Sequence, residues 1–494
     1  MKKASSFTLC ATVASFCALL LAGCGENLSD SNPISGTSTS GDTPQQELYI
    51  CVYDGGYGTE WINTLAAQYE EKTGVKVYAE ADQSILDRLE DQLENQSDYD
   101  IYMSHDINWR NFAARGLLAD LDDLYARDVE GTDATFAEHV VTGGAELSIG
   151  EGENGDEHYY KVPYTQGAGG LVYNIDMFVE NGWSIPTTYA ELLALAQTIV
   201  SAQIEIPGTR DYVVPFAWSG SDRQYYWDYL VFEWWAQLAG LEKVNQVIEY
   251  KGPTGGYSDG FEMYNPTTYY KEFMDAYDMW YDLIALHSNY STADSYGNQL
   301  ATAQAQFANG QAAMIPYGHW AKYEIENAIG RELDFDIAMM KTPKATASSI
   351  EVNYMVGFGD SMIIPENTPN KDVAMDFLAY MATEEACVTF VEKAEGAFLA
   401  FDYNDVDLSA LEESDTYIKS IREKLTEGNN FHLSSANPIT YWNVNSVMPW
   451  LENTYFYASA CAQPTNNTAS IIGADMYNRA EVGWPVWLRN AGLR

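Results

Sequence analysis

The chain has 494 residues, 46% of them hydrophobic, with 71 Asp plus Glu against 26 Lys plus Arg and a formal charge of −45. That length calls for two lobes or more, and the apolar content excludes bulk disorder. The charge repels phosphate backbones and excludes nucleic acid as a partner, while leaving neutral and cationic ligands open.

At the N-terminus, Lys2 and Lys3 precede an apolar region of roughly 15 residues, the length of a secretory signal and too short to span a bilayer. The region closes on Leu21-Ala22-Gly23-Cys24, which resembles the lipobox of bacterial lipoproteins. The resemblance implies a signal peptide over 1–23 and lipidation of Cys24, with palmitate-type chains anchoring the protein to the outer face of the cell membrane. Thirteen of the 22 residues from 25 to 46 are Ser, Thr, Gly or Pro. Such a segment forms no core, so residues 24–46 read as a tether with a reach of roughly 25 Å, and the folded body starts near Glu47. Beyond the tether, Cys51, Cys387 and Cys461 show no CxxC spacing. One disulfide plus a buried thiol, or three buried thiols, fit equally.

The body opens with a β-α-β pattern. Strand Glu47–Tyr53 meets the turn that begins at Asp54, and Trp61, Ile62, Leu65, Ala66 and Tyr69 follow at helical spacing, with Gly74 as the stop. A second strand covers Val75–Glu80. After an acidic helix from Ser84 to Gln96, a third covers Tyr99–Ser104 and leads into His105-Asp106. This alternation predicts an α/β fold with a mainly parallel sheet, in which ligands bind beyond the C-terminal strand ends, where Asp54 and Asp106 fall. A second α/β region begins after Lys161–Asp176. Thr188 and Glu191 form a capping box, Asn370 caps a helix over Val373–Met381, and Thr383 starts another with Glu384 and Glu385 in its first turn.

The segment QFANGQAAMIPYGHW, residues 306–320, ends an apolar strand on Tyr317, His319 and Trp320. Together with HDINWRNFAARGLLADLDD (105–123), VPYTQGAGGLVYNIDMFVENGWSIPTTYAELL (162–193) and DSMIIPENTPNKDVAMDFLAYMATEEA (360–386), it resembles successive motifs of bacterial extracellular solute-binding proteins, in particular the sugar-binding group that includes maltose-binding protein. The resemblance implies a two-lobe periplasmic-binding-protein-like fold with a hinge and an interlobe cleft. Lobe 1 would comprise 47–165 and 357–403, and lobe 2 166–356 and 404–494, with crossings near Tyr164–Gly170 and Val356–Ser361. It further implies that Trp320, flanked by Tyr317 and His319, packs on a pyranose face while Asp106, and also Asp54, accept hydrogen bonds from hydroxyls. Trp218 and Tyr225, and Trp442 or Trp450 near the C-terminus, are further candidates by position, each with core packing as the alternative.

The expected function is therefore capture of a carbohydrate, an oligosaccharide in particular, by a monomeric, extracytoplasmic subunit that delivers it to an ABC permease without making or breaking bonds. A polyamine binder of the same fold and a glycan-cleaving enzyme are the alternatives. Where the maltose-binding group carries a Trp just before the matching His-Asp, this chain has Met103, so maltose is not implied. Gly256-Tyr-Ser258-Asp-Gly260 matches a nucleophile elbow but has Pro on both flanks and no apolar strand before it, and so reads as a loop. The six His lack metal-ligand spacing and no Gly-Lys dipeptide forms a phosphate loop, so no cofactor or metal is expected. The acidic stretch Glu151–His158 reads as a solvated turn.

Overall fold

Short apolar strands separated by amphipathic helices build two large sheets, each flanked by helices, beside a small antiparallel pair of Ile149–Glu151 with Glu157–Tyr159. The computed structural model describes residues 46–105, 107–220, 226–356, 360–431 and 468–490. Its strands, in chain order, are β1 (Glu47–Val52), β2 (Lys76–Ala81), β3 (Ile101–Ser104), β4 (Ile149–Glu151), β5 (Glu157–Tyr159), β6 (Val162–Pro163), β7 (Thr165–Asn174), β8 (Val214–Phe216), β9 (Ala312–Gly318), β10 (Ile337–Met340), β11 (Val352–Val356), β12 (Ser361–Ile363), β13 (Phe398–Leu399) and β14 (Asn429–Phe431). One sheet is ordered β2-β1-β3-β12-β6. The other is β14-β11-β7-β9-β8, with β10 and β13 also pairing to β7.

β1 lies parallel to both β2 and β3, as the β-α-β reading expects. The sheets as wholes are mixed, however, and not mainly parallel. β12 runs antiparallel to β3, and β7 runs antiparallel to β9, β10 and β11. β12 enters its sheet after β11 of the other sheet and not from β3 through a β-α-β crossover, the connection that makes neighbouring strands parallel.

The alternation of side chains along β1 sorts them between two cores. Leu48, Ile50 and Val52 face one, and Cys51 faces another that includes Ile85, Leu89 and Leu93 of the helix Ile85–Glu94. The helix Glu60–Thr73 buries the five residues its periodicity marks and ends at Gly74, whose φ of 77° suits the left-handed cap. In the second half, Leu171 and Tyr173 of β7 face a tryptophan-rich core made with helices Tyr189–Ala202, Trp227–Ala239 and Lys271–Trp280. Val172 faces instead the core that continues into the five-stranded half. All ten residues of the Gly-rich β7 are buried, so this strand joins both halves.

Two caps differ in detail from expectation. Thr188 accepts from the Glu191 N–H as a cap should, yet the Glu191 carboxylate returns to the N–H and hydroxyl of Thr187, both at 2.7 Å. Asn370 precedes the helix Lys371–Met381 but makes no side-chain cap. Its amide donates to Asp100 at 3.2 Å, because that buried carboxylate draws in the nearby donors. Thr383 caps as expected, accepting from the Ala386 N–H. Cys51 and Cys387 are both free and buried, with burial pushing each thiol up to about 12. Cys461 lies outside the described residues, and residues 256–259 fall in turns rather than on a strand-to-helix elbow.

Candidate functional site

β1 and β9 end on facing sides of the junction between the two halves. Beyond β1, the loop carrying Asp54 and Tyr57 lies against the segment His319–Tyr323 that follows β9. A Cβ on Gly56 would stand 2.9 Å from Cδ1 of Trp320, and one on Gly58 2.4 Å from the Tyr323 ring, so bare backbone is what lets the two segments meet. Trp320 is half-buried. Its ring meets Tyr226 edge-on at 5.7 Å, Tyr57 at 6.4 Å and His319 at 5.0 Å. Tyr57 reaches β7: its hydroxyl lies 2.9 Å from that of Thr165, which donates to Asp360 at 3.2 Å. Burial, then the Asp360 charge, raises the Tyr57 phenol well above its ordinary range, so it stays a neutral donor.

The sequence-predicted residues divide in this setting. Trp320 and Asp54 lie on the junction, Asp54 partly exposed beside Tyr323. Tyr317 is fully buried within β9, donating to Glu324 and accepting from Gln304, each at 2.6 Å. As placed it supports the site from beneath. His319 is also fully buried, stacked on Tyr57 at 5.6 Å, and neither ring nitrogen has a hydrogen-bond partner among the described residues. Trp218 is 1% exposed, packs in the second core and donates its indole N–H to Ser291 at 2.9 Å, a placement that matches the core-packing alternative. Asp106, Tyr225, Trp442, Trp450 and Cys24 lie outside the described residues.

Tyr57, Tyr226 and Glu324 join the site without having been singled out. Glu324 has a raised pKa from burial, opposed by hydrogen bonds from Tyr317 and Trp320. It sits four residues after Trp320 on the first helical turn, a spacing that was readable. Tyr57 and Tyr226 sit in loops whose facing partners no spacing reveals.

Two other features lie away from this junction of aromatics. A groove of about 540 Å³, lined in part by Gln166, Met355, Phe401 and Arg422, contains none of the predicted residues. On the hairpin that contains β5, His158 Nδ1 lies 2.8 Å from Asp122 and 3.2 Å from Asp120, and the hydrogen bond to Asp122 raises its pKa. All three side chains are about a third to half exposed, the character of a surface ion pair.

Two α/β halves joined through β7, with aromatic side chains and carboxylates where their loops meet, make this a two-lobe α/β protein. The chain belongs to the bacterial extracellular solute-binding protein family, whose model matches residues 55–386. Solved structures agree in fold. The apo form of RafE from Streptococcus pneumoniae has a TM-score of 0.62 at 18% identity, covering 90% of this chain and 100% of that one. A cyclic alpha-maltosyl-1,6-maltose binding protein from Arthrobacter globiformis gives 0.61 at 17%, covering 90% and 100%. The GacH receptor of Streptomyces glaucescens gives 0.60 at 16%, covering 90% and 99%. No curated protein matches the chain. The family and these neighbours are binding proteins rather than enzymes, and the family is extracytoplasmic. Among the described residues no helix is long and apolar enough to cross a membrane.

Proposed function

We propose that the protein is the lipid-anchored, carbohydrate-binding subunit of an ABC importer, holding an oligosaccharide between its halves and presenting it to a membrane permease. The observation that carries this reading is Trp320: a half-buried indole at the end of β9, ringed by Tyr57 and Tyr226 and within reach of Asp54's loop. An indole face packs on the C–H side of a pyranose, while carboxylates and phenols bond its hydroxyl edge. Asp106 and Trp442 are proposed as further contacts, and Cys24 as the lipid attachment at the start of a tether that runs to Gln46. Sugar-binding neighbours, among them RafE in complex with raffinose, support the ligand class. Capture signals to a permease only if the sugar prefers the closed arrangement, since a ligand indifferent to conformation shifts nothing.

Thermal shift of residues 47–494 against raffinose, maltotetraose, xylotetraose, putrescine and spermidine tests the reading. A ligand at 100 times its Kd adds about 2.7 kcal/mol of stability. The expected result is a salt-insensitive shift with at least one oligosaccharide, lost in Trp320→Ala. Shifts with the polyamines alone, favoured by the charge of −45, would replace sugar with a cation.

A further inference from the structure

His319 is a fully buried ionisable group at the junction, and nothing in the proposed capture of sugar uses its basicity. Its ring is fully buried, and both nitrogens are without hydrogen-bond partners among the described residues. A buried polar group in that state is costly and calls for a physical reason. The packing shows what holds it there. On one side lies β7, where Gly167 leaves the space: a Cβ at that position would fall 1.9 Å from Nδ1. On the other side lies Tyr57, stacked at 5.6 Å with 27° between planes and contributed by the loop after β1. Trp320 meets the ring edge, and the Tyr417 hydroxyl donates to the His319 carbonyl at 3.0 Å. The seven-stranded half therefore supplies the floor under the imidazole, and the five-stranded half supplies its lid.

The charged and titratable groups around it offer no counter-charge. Tyr57 is held neutral, Tyr417 is likewise raised by burial, the Asp360 carboxylate is turned to the Thr165 and Tyr57 hydroxyls and adds nothing to the ring's shift, and Glu324 is turned to Tyr317 and Trp320. Burial alone pushes the His319 imidazole down from 6.5 to about 3, with no charged neighbour contributing. A closed junction thus has room for the imidazole but no compensation for an imidazolium.

We propose that His319 couples capture in the cleft to protonation: the halves close over the neutral ring only, so acid favours the open arrangement and releases the ligand. The proposal deepens the reading of Trp320 as the sugar plate and rests on it. When the loop carrying Tyr57 lifts away, water reaches the ring and its basicity returns towards the ordinary value. Above that value both arrangements hold neutral imidazole and pH has no effect. As pH falls below it, the open form takes a proton that the closed form refuses, and closure is progressively opposed. At one pH unit below the ordinary value, the apparent affinity should be about tenfold weaker.

The test uses the full chain and three readouts between pH 7.5 and 4.5: histidine-ring NMR, small-angle X-ray scattering, and Kd for whichever of raffinose, maltotetraose and xylotetraose the protein retains. With six His in the chain, the His319 signal is assignable by its loss in His319→Phe. The expected outcome is a ring that stays neutral to below pH 5 when ligand is bound. Kd should rise about tenfold from pH 7.5 to 5.5, and the radius of gyration of the free protein should grow over the same range. His319→Phe should flatten both dependences. A ring that titrates near 6.5 with ligand bound, or a pH dependence that survives His319→Phe, overturns the proposal. Should none of the three sugars bind, the sugar reading fails on its own; the scattering then decides, expansion in acid that His319→Phe abolishes supporting the proton link and an invariant profile overturning it. If His319→Phe does not fold, His319→Gln, which keeps a polar side chain but takes up no proton, replaces it in the assignment and in the pH comparisons: flattened dependences support the link, and a pH dependence that survives the substitution overturns it.

Discussion

β8 and β9 are parallel neighbours, and each is followed, two residues past its end, by a tryptophan: Trp218 after Phe216 and Trp320 after Gly318. The two indoles have opposite fates. Trp218 is sealed in the second core with its N–H on Ser291, whereas Trp320 stands half-buried where the halves meet. Their local sequences do not explain the difference, because each lies two residues past a strand whose last residue is buried, one after Ala217 and the other after His319, and both intervening residues are themselves buried. Sheet order explains it. β8 is an edge strand, and its C-terminal loop is covered by the segment around Ser291, which forms a bridge to Phe216. β9 is one place further in, directly against β7, the strand that joins the two halves, so its loop opens onto the loop after β1. Which tryptophan packs and which is presented is thus set by the neighbour of each strand.

Substitutions sharpen the contrast. The largest effect on stability should come from Trp218→Ala, at about 3–5 kcal/mol, since it leaves a large cavity in a sealed core. Urea unfolding followed by circular dichroism measures it, and a cost near that of Trp320→Ala would break the contrast. Next is Gly167→Ala, expected at about 1–3 kcal/mol because the added methyl must displace the His319 ring. The same unfolding experiment reads it, and a neutral outcome would mean that His319 is not wedged against β7. Trp320→Ala should cost only about 1 kcal/mol in folding yet weaken oligosaccharide binding by about tenfold or more by calorimetry, the reverse of the pattern for Trp218. The smallest effect belongs to Ser291→Ala, about 1 kcal/mol for the orphaned Trp218 N–H, with affinity unchanged.

Much of the frame was legible along the chain. The strand–helix alternation from Glu47 to Ser104 marked a three-stranded parallel core, and helical spacing picked out all five inward residues of Glu60–Thr73. The end of β9 was marked by the same stretch that drew attention to Trp320. Other readings went astray where a distant partner intervened. Asn370 turned from its helix to Asp100, 270 residues away. Glu233 and Lys424 form an ion pair at 3.4 Å with neither side chain exposed, 191 residues apart and without any local signature.

By itself the sequence determined the α/β class, the helix stop at Gly74 and the cap at Thr383, the loop character of residues 256–259 and the apolar strand leading to Trp320. Each depends on periodicity or on backbone preferences acting within a few residues, which survive in any tertiary context. Only the tertiary structure decided that the sheets are mixed, that Trp218 is core, that Tyr317 is a support, that Glu324 receives bonds from Tyr317 and Trp320, and that Tyr57 closes over His319. Those outcomes depend on which strands become neighbours and which loops then face each other across the junction. Burial and pairing of that kind are properties of the assembled sheets, and no local spacing carries them.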